Sequence, residues 1–168
     1  MGFLIADKVG YGHNTGRRKA AKGSAGDSMS VATVPRVRAM VICDEVVSSE
    51  IEADVFTLEN VRLGVEVERF PHLRWFCVYL SLSHYRTGTF QGEVRLMREG
   101  ARTQIAGTMF PVEFAPGIDR IAFYVEVGEC RFPASGDYSF EAWFTDDDSP
   151  PVQKGEAKLR IYDSEEAT

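Results

Sequence analysis

Apolar and polar positions alternate with a period of two through most of the chain, in short runs broken by Gly, Pro and Asp. This is the signature of half-buried strands. Ile121, Phe123, Val125 and Val127 alternate with Ala122, Tyr124, Glu126 and Gly128, and Tyr138, Phe140, Ala142 and Phe144 alternate with Ser139, Glu141, Trp143 and Thr145. Phe90, Val94 and Leu96 face one way and Gln91, Glu93 and Arg95 the other. The pattern predicts strands near 37–47, 55–67, 74–83, 89–97, 102–112, 119–129, 137–145 and 156–162. A helix has room only in the first ten residues or around 48–54. Eight short strands with hairpin-sized loops predict an all-β fold, a two-sheet antiparallel sandwich of the Ig-like or C2-like kind.

The first 30 residues do not share this pattern. From Tyr11 to Ser30 they are Gly, Ala, Ser and Lys/Arg with almost no large apolar side chain, a composition that cannot offset its own ordering entropy. The expected organisation is therefore a basic tail over 1–30 and a β-domain over 31–168, with Met29 as an alternative start. The tail carries Lys8, Arg17, Arg18, Lys19 and Lys22 against Asp7 and Asp27, a surplus of three positive charges. The whole chain is at −6, so the body is distinctly acidic. A protein that binds phosphates broadly needs the opposite sign, so nucleic acid is expected only through Arg17, Arg18, Lys19 and Lys22. No run approaches the roughly 18–20 apolar residues of a membrane helix, and the N-terminus lacks a secretory pattern. Three cysteines cannot all pair within one molecule. Cys43 and Cys77 lie in apolar runs, where a free thiol behaves as a small buried hydrophobe. The expected compartment is a reducing cytoplasm.

Arg38 to Val46 (RAMVICDEV), Phe70-Pro71, Gly92 to Leu96 (GEVRL), Phe132 to Phe140 (FPASGDYSF) and the closing strand Glu156 to Ile161 resemble a bacterial domain-of-unknown-function family of small β-sandwich proteins. The resemblance covers about residues 36–162 and leaves out the tail. It implies a fold and no activity, catalytic residue or cofactor.

Chemistry is sparse. Of His13, His72 and His84, only His84 ends a strand where it could face a cleft. Cys43 precedes Asp44 and Glu45, but a thiol in an apolar strand has no electropositive setting to ionise it. No nucleophile elbow, phosphate-cradling glycine loop or Cys-x-x-Cys pair is present, so neither an enzyme nor a cofactor is expected. If successive strands reverse, segments 48–54, 84–88, 113–119 and 146–151 meet at one end. They bring Glu50, Glu52, Asp54, Glu113, Asp119, Asp146, Asp147 and Asp148 against Arg86 alone. This acidic end could meet a basic partner or gather oxygens for Ca²⁺ as a C2-like module does. Tyr124, Trp143 and Tyr162 occupy outward positions of late strands and could form an aromatic interaction face. Tyr138, two residues after Gly136, is expected to fix a strand corner with its hydroxyl. The tail could instead act as an assembly arm, as in a jelly-roll capsid protein. The leading expectation is a non-enzymatic interaction or structural module, with an unknown protein partner or self-association.

Overall fold

A computed structural model describes residues 34–52, 55–146 and 149–164. Among these residues there is no helix, and ten strands form three sheets. In chain order they are β1 (Arg36–Cys43), β2 (Glu45–Ser48), β3 (Phe56–Glu59), β4 (Gly64–Val67), β5 (His72–Ser83), β6 (Gly88–Arg98), β7 (Thr103–Phe114), β8 (Arg120–Phe132), β9 (Gly136–Thr145) and β10 (Val152–Asp163). One sheet runs β1-β5-β8, a second runs β4-β10-β9-β6-β7, and β2-β3 stand as a two-stranded sheet. The tail, with Arg17, Arg18, Lys19 and Lys22, lies outside the described residues.

The all-β expectation holds, and the last six predicted strands are found within a few residues of their expected ends. The first two are each divided. The run expected over 37–47 breaks at Asp44, because its carboxylate is held by Arg62 and Arg74 at the turn. Beyond that turn the chain leaves the β5 ladder and pairs with β3 instead. The run expected over 55–67 breaks where Asn60 adopts a left-handed backbone, φ 51°, a conformation Asn tolerates better than most residues. The chain then enters β4, which pairs with β10 in parallel, Gly64 opposite Arg160 and Val67 opposite Asp163. The strands therefore do not all run antiparallel. Parallel neighbours need a long connection, and β5 to β9 supply it.

The two larger sheets share one core. The alternation read from the sequence sets its inner faces: Ile121, Phe123, Val125 and Val127 of β8 and Tyr138, Phe140, Ala142 and Phe144 of β9 are all buried. Aromatic rings join the layers, Phe76 to Phe140 with centroids 5.6 Å apart and Phe110 to Phe123 at 5.4 Å. Each such ring contributes roughly 1.5–3 kcal/mol relative to exposure. Gly92 lies opposite Phe110 and leaves room for its ring, since a Cβ there would come within 2.2 Å of Phe110 Cε2. Tyr138 is buried and its hydroxyl donates to the Ala134 carbonyl at 2.7 Å, the corner expected of it. At another edge Thr108 Oγ1 of β7 donates to the Glu126 carbonyl of β8 at 2.9 Å, so the two sheets approach each other there.

The β2-β3 hairpin covers part of the outer face of the three-stranded sheet. Beneath it lies a second small core of Cys43, Val46 and Cys77, with Phe56, Leu58 and Tyr124 packed around it. Phe56 meets Tyr79 edge-on at 5.7 Å.

Candidate functional site

Below the hairpin no described element covers Leu73 and Trp75 on the outer face of the three-stranded sheet. Outward positions alternate along β5, and the two nearest its start are large and apolar: Leu73 is 59% exposed and Trp75 is 53% exposed. Trp75 sits at a bulge, where the pairing of β5 with β8 shifts between Arg74 and Phe76. Its indole lies against Gly128, where a Cβ would fall 2.7 Å from Cζ3. Only glycine leaves that space, so the ring rests on the backbone of the next strand while its other face meets solvent. Beside it Pro71, Leu73, Glu129 and Arg131 line a concave surface of about 430 Å³. A large aromatic and an aliphatic side chain with one acid and one base at the margin have the make-up of an interface anchor with a polar rim.

Next to this surface an ion cluster is centred on Asp44. Asp44 accepts from Arg62 Nε at 3.1 Å on each oxygen, from Arg62 Nη2, and from Arg74 Nη2 at 2.7 Å. The Arg62 hydrogen bonds, with Arg74 adding to them, hold the Asp44 carboxyl below the ordinary carboxylate range against the opposing effect of burial. The cluster ties the β1-β2 turn, the loop before β4 and the start of β5 to one another. No motif announces it, because its three members are spread over 31 positions.

The expected acidic end forms in part. Ladder pairings put 84–88, 113–119 and the chain on either side of β9's end at Asp146 at one end of the sheets, since Gly88 faces Phe114, Ser83 faces Arg120 and Thr145 faces Gln91. His84 N–H also donates to the Asp119 carbonyl at 3.0 Å. Glu113 and Asp119 are exposed there, and Asp146 is half-buried with a buried, unbonded Oδ1. Glu50 and Glu52 belong instead to the turn of the β2-β3 hairpin, which has no ladder to either large sheet. Asp54, Asp147 and Asp148 lie outside the described residues. Among the described residues no three His, Cys, Asp or Glu side chains converge to hold a metal ion.

The three outward aromatics are not brought together. Tyr124 packs under the hairpin with Cys43 and Cys77. Trp143, on the outer face of the five-stranded sheet, carries the Arg95 guanidinium 4.5 Å over its ring and donates from Nε1 to Glu141 Oε2 at 2.9 Å. Tyr162 lies against Gly64. Trp143 faces Gln153, and Tyr162 is about nine residues further along β10, or about 30 Å.

Cys43, His84 and an acid do not form a catalytic group. Cys43 faces Cys77, and His84 lies about seven residues beyond Cys77, roughly 23 Å along β5. Burial, with Cys77 and Asp44 nearby, pushes the Cys43 thiol up to about 11, and burial takes Cys130 up to about 12. His84 is not in a cleft. It is buried between Phe90 and Phe114, with centroids at 4.7 and 5.6 Å, and burial with Arg86 nearby holds it below its ordinary value. No helix among the described residues is long and apolar enough to cross a membrane.

Trp75 and Leu73 escaped the sequence reading because Trp75-Phe76-Cys77-Val78 looks like one buried run. The signal present was the two-residue spacing of Leu73 and Trp75 on the face opposite Phe76.

No protein-family model matches the chain, and no curated protein does. Among solved structures it is similar to two crystal structures of a glycosyl hydrolase family 2 member from Bacteroides cellulosilyticus, one of them from strain DSM 14838. Both are 13% identical with a TM-score of 0.43, and the alignments cover 54% of this chain and 12% and 13% of theirs. The aligned region is thus a small part of those proteins.

Proposed function

We propose that this chain is a non-enzymatic protein-interaction module. In this reading β1-β5-β8 and the five-stranded sheet are the two layers of a sandwich, and the β2-β3 hairpin is an addition that leaves half of one face open. The observation that carries it is the adjacent exposure of Trp75 and Leu73 beside a concave surface with Glu129 and Arg131 at its margin. An indole seated on Gly128 loses little rotamer freedom when a partner covers it. The partner supplies an apolar side chain for the concavity and polar groups for its rim. Three free, buried thiols support residence in a reducing compartment.

The test is Trp75→Ala and Leu73→Ala, read by light scattering for self-association and by quantitative capture from the native cell for other partners. Truncating a central aromatic anchor costs about 2 kcal/mol or more, so Trp75→Ala should weaken the association at least about tenfold. Unchanged mass and unchanged capture with both variants, each folded by circular dichroism, would refute the proposal.

A further inference from the structure

At the end of β5 away from Trp75, the outer face of the three-stranded sheet finishes in a row of arginines. Leu82 enters the main core, so Ser83 faces outward, and its ladder partners are Arg36 on β1 and Arg120 on β8. Directly opposed residues share a face, so both arginine side chains rise beside the Ser83 hydroxyl. With strands about 4.8 Å apart, their Cα atoms are about 10 Å from each other, with Ser83 between them. Arg38 joins them. The β1 register shifts between Val37 and Ala39, and this extra residue sends its guanidinium across the sheet, Nε donating to Ser83 Oγ at 2.7 Å.

Ser83 is 5% exposed although it faces outward, whereas Arg36, Arg38 and Arg120 are all exposed. Among the described residues none of the three arginines makes an ion pair, neither with Asp119 beside Arg120 in the chain nor with Glu113 at the same end. The next row along the sheet, Ala39, Ser81 and Ala122, carries no charge. Three positive charges gathered without a carboxylate repel one another, and a bound anion removes that cost.

The donors select the anion. Arg38 spends its Nε–H on Ser83, which leaves its Nη groups, the whole guanidiniums of Arg36 and Arg120 and the Ser83 hydroxyl proton. A carboxylate offers one charge and two oxygens to this set. A phosphate monoester offers a charge of about −1.5 to −2 and three oxygens, and guanidinium binds it through paired hydrogen bonds. The space beside the arginines is bounded. Ala39, Ser81 and Ala122 are small, and beyond them stand Val41, Tyr79 and Tyr124, with Phe56 of the hairpin edge-on to Tyr79. Ser83 to Tyr79 is about 13 Å, a length that a small molecule fills and an extended peptide overruns.

We infer that this end of the sheet binds a small phosphate monoester, its phosphoryl group on Arg36, Arg38, Arg120 and Ser83 and its body over Ala39, Ser81 and Ala122. The site is about 27 Å along β5 from Trp75 and does not depend on the interaction surface proposed above.

In ¹⁵N-correlation spectra of the full chain, phenyl phosphate at up to about 10 mM should shift the Ser83 and Ala122 amides in a saturable way. Benzoate, with the same ring and a single charge, should bind at least about tenfold more weakly. Arg36→Ala and Arg120→Ala, both at exposed positions, should each weaken phenyl phosphate at least about fivefold. Arg102→Ala removes the same charge from the β6-β7 turn of the other sheet and should leave the affinity unchanged. Absence of a saturable shift in the wild-type protein overturns the assignment. So does benzoate binding as tightly as phenyl phosphate, Arg36→Ala and Arg120→Ala binding as the wild type does, or an equal loss in all three variants, which would mark a general effect of net charge. A phosphoserine decapeptide that binds at least about tenfold tighter than phenyl phosphate would make the ligand a peptide and overturn it as well.

Discussion

Replacing Asp44 should loosen the junction on which the β2-β3 hairpin is mounted. The carboxylate accepts four N–H contacts from two guanidiniums, and its side chain is 23% exposed, against 32% for Arg62 and 28% for Arg74. Hydrogen bonds to charged groups contribute about 1.5–3 kcal/mol each but do not add. Residual exposure brings the cluster down toward surface ion pairs. The expected loss for Asp44→Ala is about 2–3 kcal/mol, or about 5–10 °C in Tm for a domain of this size. Asp44→Asn keeps the shape and one acceptor and should lose about half as much. The sign with pH follows from the lowered folded-state value. The contribution is complete above the unfolded value near 3.8 and is lost as the pH falls through the lower folded value. Urea titrations of wild type and variant, repeated from neutral pH into acid, should therefore converge at the acid end. The removed carboxylate also leaves Arg62 and Arg74 facing each other, so Arg62→Ala should cost less in the Asp44→Ala background than in the wild type. A neutral-pH difference below about 0.5 kcal/mol, or one that persists unchanged in acid, would refute the reasoning.

Two further predictions concern the core. His84 and His72 are both held below 6.5, chiefly by burial. Folding therefore favours the neutral rings, and their contribution is complete above 6.5 and declines as the pH falls through the folded values. His84→Leu should flatten the fall of Tm between about pH 6.5 and 5, and a slope equal to that of the wild type would count against this. Gly92→Ala should destabilise by about 1–3 kcal/mol, because its methyl would meet the Phe110 ring, which also packs on Phe123 and Phe144. Denaturant midpoints matching the wild type would show that the ring can move aside.

Local pattern was enough for the inner faces of β6, β8 and β9, where a strict period of two leaves little choice of which side is buried. It was also enough for the Tyr138 corner, whose partner Ala134 is four residues away, and for burial of Cys43. The polar network of Asp44, Arg62 and Arg74 was not legible, because nothing local brings those positions together. Tyr124 was on the correct outward face, yet no alternation states that a hairpin will later cover that face. Glu141 read as an exposed partner of the core residues on β9, and neighbours on two other strands bury it.

The sequence by itself determined that the body is all-β, where most strands lie and which side chains enter the main core, since those depend on a two-residue repeat within single segments. Tertiary structure decided the third sheet, the parallel β4-β10 pairing, the open face around Trp75 and Leu73, and the arginines gathered around Ser83. Each of these depends on which strands become neighbours, and that choice is made by packing between segments far apart in the chain.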